Sequence, residues 1–258
     1  MAESNGRLAG KVAVVVGSTS GIGAAIARRF AAEGASVVLS GRRSEQGEAV
    51  VREIVEKGGR AVFQRTDVKQ PEDCAALVKR AKEAYGGLDS LVYNTGIFNR
   101  ATFDEITPEF WDGMQAVNVR GAFLVSQAAA PLMRQRGGGS ITMMGSIHAF
   151  VSSEKLIPYG VSKGALLALT RELSGYLKRD RIRVNWITVG WVLTDKEKET
   201  QMAEHGDLKR VMEFGARAPW GLNTEEEMAS GCVYLASDEA MRVTGTNLNI
   251  SGGIHLSL

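Results

Sequence analysis

The passage from Lys11 to Ser40 constrains this chain more than any other. Lys11-Val-Ala-Val-Val-Val16 is a short, almost wholly apolar run of mostly β-branched residues. Such a run predicts a strand covered on both faces, as in a parallel sheet. It leads directly into Gly17-Ser-Thr-Ser-Gly21-Ile-Gly23, after which Ala24 to Glu33 is rich in helix formers and ends before Gly34. A glycine there suits a helix C-cap. Ser36-Val-Val-Leu-Ser40 then reads as a second strand. Strand, glycine turn, helix and strand in about 30 residues make one βαβ unit.

The same rhythm runs on. Helices are predicted over Glu45 to Lys57, Glu72 to Tyr85, Pro108 to about Arg136, Tyr159 to Lys178 and Glu225 to Ala236. Strands are predicted at Ala61 to Arg65, Ser90 to Tyr93, Ser140 to Met144, Arg183 to Thr188 and Asn247 to Ile250. Helix-length segments between strands throughout imply an α/β fold: a doubly wound parallel sheet of about seven strands with helices on both faces. The chain, 1–258, is expected to be a single domain. Residues 192–223 interrupt the rhythm with a charged, irregular stretch carrying two short helical pieces. A long insertion after a strand in such a fold lies over the strand ends where ligands bind, so a substrate lid is expected there.

The glycines have a physical reason. A chain turning from strand to helix beside a pyrophosphate must bring backbone close to phosphate, and the helix N-terminus offers free N–H groups and partial positive charge. The spacing is G-x-x-x-G-x-G, and the expected cofactor contacts are Gly17, Ser18, Ser20, Gly21, Ile22 and Gly23. No acidic residue ends the second strand; Ser40-Gly41 is followed by Arg42-Arg43. Two guanidinium groups suit a 2′-phosphate, so NADP(H) is expected, with NAD(H) as the alternative.

Ser146-Ile-His-Ala-Phe-Val-Ser-Ser-Glu-Lys-Leu-Ile-Pro-Tyr159-Gly-Val-Ser-Lys163 carries the candidate chemistry. Pro158 starts a helix, which puts Tyr159 and Lys163 on one face. A nearby ammonium favours the phenolate and is expected to lower the Tyr159 pKa. The Ser146 hydroxyl, at a strand end, can bond a substrate oxygen beside the phenol. The set suits proton transfer to or from a carbonyl or alcohol oxygen.

With these motifs in place, the chain resembles the short-chain dehydrogenase/reductase family over nearly its whole length. The matching residues are Gly17-x-x-x-Gly21-Ile-Gly23, Asp67-Val68, Asn94-Thr95-Gly96, Asn118, Ser146, Tyr159, Lys163, Asn185 and Thr194. The resemblance implies a Rossmann-type fold, Tyr159 as general acid and base, Ser146 orienting the substrate oxygen, and Lys163 binding the nicotinamide ribose. It implies that Asn118 holds a water linking Lys163 to solvent. It also adds Asp67, Val68, Asn94, Gly96, Val192 and Thr194 to the cofactor contacts, and it implies a homotetramer packed through the two long helices. The substrate would be a small carbonyl or alcohol, of the 3-oxoacyl-thioester or the sugar and polyol type. A catalytically idle dinucleotide-binding protein on the same scaffold is the alternative. Departures from the family pattern are Thr95 for the usual Ala, Val189 for the usual Pro, and Ser251 for the usual Asp.

His148, Phe150, Gly190 and Trp191 are the candidate substrate-pocket residues, with Phe98, Ser152 and Ser153 as further wall positions. Trp191 could instead pack in the core. Gly160-x-Ser162-x-Gly164 imitates a nucleophile elbow, but Ser162 falls inside a predicted helix rather than on a strand-to-helix turn.

Composition excludes other classes. The net charge of +2 is spread without a basic block, which argues against nucleic acid as a partner. No apolar stretch is long enough for a membrane span, and residues 1–10 lack the layout of a signal peptide. Cys74 and Cys232 have no ligand spacing around them, so no metal is expected and a reduced, cytoplasmic setting is.

Overall fold

The computed structural model describes residues 6–254. Strands β1 (Val12–Val16), β2 (Ser36–Gly41), β3 (Arg60–Arg65), β4 (Ser90–Tyr93), β5 (Gly139–Met144), β6 (Ile182–Val189) and β7 (Asn247–Ile250) form one sheet. All pairs are parallel, in the order β3-β2-β1-β4-β5-β6-β7. The helices are α1 (Gly21–Ala32), α2 (Ser44–Glu56), α3 (Pro71–Tyr85), α4 (Pro108–Gln115), α5 (Gly121–Gln135), α6 (Ile157–Leu177), α7 (Asp195–His205), α8 (Lys209–Arg217) and α9 (Glu225–Ala236). This is the doubly wound Rossmann-type arrangement that the strand and helix rhythm predicts.

Two apolar cores, one per sheet face, explain why β1 reads as an unbroken apolar run. Ala13 and Val15 point into a core with Ile26 and Phe30 of α1 and Met228 and Val233 of α9. Val12, Val14 and Val16 point the other way, onto Leu77 of α3, Val125 and Met133 of α5 and Leu166 of α6. Successive side chains of a strand alternate faces, so a strand buried on both sides must be apolar throughout. Leu166 thus faces the sheet. Both cysteines are buried and unpaired, Cys74 in α3 and Cys232 in α9.

Between β1 and β4 the strand order reverses direction. A crevice opens at the carboxyl ends of strands at such a switch point. Gly17 follows β1 and Asn94 follows β4, so both loops border it.

The long helix predicted from Pro108 to Arg136 is two helices joined by a π turn, Ala116–Arg120. The wide turn leaves a carbonyl, that of Val117, to accept from the buried Tyr93 hydroxyl. It also turns Asn118 inward, in keeping with the frequency of π turns at functional sites. Residues 192–223 leave the sheet after β6, carry α7 and α8, and are closed at their base by a bridge between Val192 and Asn223.

Candidate active site

The glycine turn is built by close approaches that side chains would block. Gly17 has φ +78°, and a Cβ on it would lie 2.8 Å from Thr95. A Cβ on Gly23 would lie 2.1 Å from the Gly17 carbonyl oxygen. Asn94 Nδ2 donates to that same carbonyl at 3.0 Å, joining the loops after β1 and β4. Ser20 caps α1 without a side-chain bond, and the first turn has no acidic residue. Its N–H groups therefore remain available to an anion. Arg43 lies across the turn, donating to Thr19 Oγ1 at 2.8 Å and to Ser20 Oγ at 2.5 Å. Arg42 beside it is exposed, and neither arginine pairs with a carboxylate among the described residues. The donors, the uncompensated charges and the glycine approaches fit a dinucleotide lying along this crevice.

Gly17, Ser20, Gly21, Ile22, Arg43, Asn94, Gly96, Tyr159, Lys163 and Thr194 line the crevice together. Ser18 does not serve as expected. It is fully buried, its hydroxyl donates to Val15 O at 2.8 Å and accepts from Ser40 N at 2.9 Å, and so it holds the turn against β2. Gly23 contributes by giving room rather than by facing the crevice. Asp67 and Val68 stand outside it, after β3: the Asp67 carboxylate accepts from Lys69 N at 3.0 Å, and Val68 packs beneath Gly121.

On the other side of the crevice lie Ser146, Tyr159 and Lys163, the residues expected to carry proton transfer. α6 starts at Ile157, with Pro158 in its first turn, and puts Tyr159 and Lys163 one turn apart. Ser146, just past the end of β5, caps a short 3-10 turn, Ile147–Ala149: its hydroxyl accepts from His148 N at 3.2 Å and lies near enough to the Tyr159 phenol to favour the phenolate. Phe98 and His148 stand edge-on to the Tyr159 ring, at centroid distances of 6.2 and 5.9 Å. Burial, with Glu197 adding repulsion, pushes the phenol up to about 12, against the lowering influence of Ser146. The expected lowering by Lys163 is not found. Lys163 Nζ donates to the Met144 carbonyl at 2.8 Å and lies 5.6 Å from the Tyr159 ring centroid. Burial brings the lysine itself down to about 8. Tyr159 is thus a protonated phenol at neutral pH.

Asn118 is a brace. Its Nδ2 donates to Ile97 O and to Ser162 Oγ, both at 2.9 Å, and its Oδ1 accepts from Ile97 N at 2.8 Å. Ser162 in turn donates to the Tyr159 carbonyl at 2.7 Å. The Asn118 side chain therefore ties the loop after β4 to the α6 turn carrying Tyr159 and Lys163. The serine of the G-x-S-x-G sequence is buried in that brace, with no nucleophile geometry.

A second, larger cleft of about 870 Å³ continues from Tyr159 beneath residues 192–223. Ser146, His148, Ser153, Gly190, Trp191, Val192 and Thr194 line it, as do Phe98, Arg100, Glu197, Gln201 and Phe214. Trp191 belongs to the wall: it packs on Phe214 at 5.0 Å and donates from Nε1 to Glu197 Oε1 at 3.1 Å. Burial, together with the charge of Arg100, holds the His148 imidazole below its ordinary range. Phe150, expected in the wall, is 46% exposed and lies outside, as does Ser152. The 3-10 turn after Ser146 carries the chain outward, so Phe150 cannot share the direction of His148. Arg100, Glu197 and Gln201 escaped the sequence reading. The one available signal, Thr194-x-x-Glu197, is the sequence of an ordinary capping box.

Lys163 gives a prediction in solution. Its depressed value means that below pH 8 the folded protein holds a buried ammonium at a cost of roughly 3 kcal/mol, a cost removed as pH rises to the ordinary 10.5. In that window the unfolded chain binds the extra proton, so wild-type stability rises with pH. The melting temperature of Lys163→Met relative to wild type should be highest below pH 8 and fall toward pH 10.5. A difference independent of pH would mean that the lysine is not titrating as described.

Residues 16–255 match a family model described as "Enoyl-(Acyl carrier protein) reductase". Human dehydrogenase/reductase SDR family member 4 is 37% identical over 256 residues, covering 95% of this chain and 88% of that protein. A dehydrogenase of 2,5-dichloro-2,5-cyclohexadiene-1,4-diol from Sphingobium indicum is 35% identical over 248 residues, covering 96% and 97%. The structure of L-sorbose reductase from Gluconobacter frateurii, complexed with NADPH and L-sorbose, superimposes with a TM-score of 0.91 at 34% identity, covering 99% and 100%. With its parallel seven-stranded sheet, its glycine turn and the Ser146, Tyr159 and Lys163 set, the chain belongs to the short-chain dehydrogenase/reductase family of alcohol and carbonyl oxidoreductases.

Proposed function

We propose that the protein interconverts a ketone or aldehyde and the corresponding alcohol with NADP(H) in preference to NAD(H). The carrying observation is the phenol of Tyr159, beside Ser146 and one helical turn from Lys163, at the junction of the cofactor crevice with the large cleft. NADPH, when bound, supplies the hydride to the carbonyl carbon. Ser146 would hold the carbonyl oxygen, and Tyr159 would transfer its phenolic proton to that oxygen as the π bond of C=O gives way to new C–H and O–H bonds and the C–O single bond is kept. Lys163 anchors the cofactor ribose and returns a proton to Tyr159, while Asn118 keeps α6 and the loop after β4 in register. Gly17, Gly21, Ile22, Asn94, Gly96, Val192 and Thr194 hold the dinucleotide, and Arg42 and Arg43 hold its 2′-phosphate. The NADPH in the sorbose reductase structure is in keeping with this cofactor.

The chain acts as one domain, and residues 192–223 form the lid over the substrate. A homotetramer in the cytoplasm is the working assembly. Phe123 of α5 with Ile157, Val161 and Tyr176 of α6 are exposed apolar residues on the two helices assigned to the interface. Light scattering that gave a monomer would remove this assignment. The described residues contain no helix long and apolar enough to cross a membrane and no group of three or more His, Cys, Asp or Glu placed to hold a metal.

Fluorescence titration with NADPH and NADH tests the reading. NADPH should bind at least about tenfold more tightly, as expected from one additional charge-assisted contact. Tighter NADH would overturn the cofactor assignment, and binding of neither would overturn the enzymatic one.

A further inference from the structure

Residues 192–223 bring two buried polar side chains to the cleft, Glu197 and Gln201. Thr194-x-x-Glu197 has the sequence of a capping box, but only half of it forms: Thr194 Oγ1 accepts from Glu197 N at 3.2 Å. At the start of α9 the same pattern closes fully, with Glu227 Oε2 accepting from Thr224 N at 2.8 Å. Glu197 instead turns its carboxylate inward and is only 7% exposed. Arg100 Nη2, Trp191 Nε1 and Gln201 Nε2 donate to its Oε1 at 3.4, 3.1 and 2.8 Å. None of these donors reaches Oε2. Gln201, 3% exposed, has no partner for its Oε1. Both residues line the cleft, and Glu197 is near enough to Tyr159 to raise its pKa.

A buried acceptor without a donor is costly, and a helix that gives up half its cap to bury a carboxylate here needs a compensating partner. Arg100 already balances the Glu197 charge and is shared with Glu204. The missing partners are therefore neutral donors rather than a cation. Lys155, Arg210 and Arg217 are exposed at the rim and do not reach into this requirement.

Resting on the proposed carbonyl–alcohol reading, we infer that Glu197 and Gln201 recognise hydroxyl groups flanking the reacting carbon, so that the substrate is a polyhydroxylated ketone or the polyol formed from it. A 3-oxoacyl thioester offers only acceptors and methylenes around its ketone and would leave Gln201 Oε1 without a donor. Sites built to bond a substrate hydroxyl reject the analogue lacking it strongly.

The test compares erythrulose, an open-chain trihydroxyketone, with butanone of the same carbon skeleton and with an acetoacetyl thioester, each with NADPH and with NADH. The kcat/KM for erythrulose should exceed both others by at least about a hundredfold. Gln201→Met, which keeps size but removes the acceptor, should lower the erythrulose-to-butanone ratio at least about tenfold, and a ratio is insensitive to partial loss of folded enzyme. With cofactor bound, quenching of tryptophan fluorescence by erythrulose but not by butanone should report the same selectivity in binding, because Trp191 bonds to Glu197. Preference for the thioester or for butanone, or an unchanged ratio in Gln201→Met, overturns the inference while leaving the oxidoreductase reading intact. Turnover of no carbonyl with either cofactor overturns both.

Discussion

Tyr159→Phe should lower turnover by about a thousandfold, within the range contributed by a positioned proton donor, while NADPH affinity changes by less than about threefold. The separation follows from what the hydroxyl touches. The ring keeps its edge contacts with Phe98 and His148, and the cofactor crevice keeps the glycine turn, Asn94, Lys163 and Arg43. What is lost is the phenolic proton and its interaction with Ser146. Retained turnover would remove Tyr159 from the reaction; loss of NADPH binding to the same degree would make its role structural.

The pH dependence carries the sign of the same group. With the phenol held at about 12, Tyr159 is protonated throughout the neutral range. Carbonyl reduction requires that proton, so its kcat/KM should be flat from pH 6 to about 7 and change only as Lys163 loses its charge around pH 8. Alcohol oxidation requires the phenolate, so its kcat/KM should climb with pH from 6 to 8, by up to about tenfold per unit. Parallel profiles in the two directions would show that another group controls the proton.

The parts of this molecule that were legible in the sequence are those under two-sided constraint. Val12–Val16 reads as a strand because both of its faces are buried in separate cores. Gly17 and Gly23 read as a turn because any other residue would collide with Thr95 or with the Gly17 carbonyl. Ala116–Arg120 was not legible as a π turn, since its residues are ordinary helix residues and the cause lies in a contact from the distant Tyr93. Arg100 was missed because a loop residue acquires meaning only from α7, whose Glu197 and Glu204 pair with it. Glu197 was hidden by a pattern that explains it as a cap. Phe150 was misplaced because spacing along a chain does not fix direction through a 3-10 turn. The expected influence of Lys163 on Tyr159 failed for a related reason: helical spacing brings the groups together, but the Met144 carbonyl takes the ammonium and burial raises the phenol.

Replacing both Arg42 and Arg43 by alanine should weaken NADPH binding by at least about a hundredfold and NADH by less than about threefold. Each charge-assisted bond to a phosphate is worth about 1.5 to 3 kcal/mol, which sets the scale, and NADH has no phosphate there to lose. The two arginines are not equivalent. Arg43 is fixed across the glycine turn by Thr19 and Ser20, so its guanidinium is already oriented, whereas Arg42 is exposed and must be ordered on binding. Arg43→Ala alone should therefore account for most of the loss. The end of β2 also disfavours the carboxylate that would select NAD: a Cβ on Gly41 would lie 2.7 Å from Thr19 Cγ2. Equal weakening of the two cofactors in the double variant would mean that Arg43 only holds Thr19 and Ser20 in place. The single variants would then separate cleanly, with Arg42→Ala silent and Arg43→Ala loosening the turn for both.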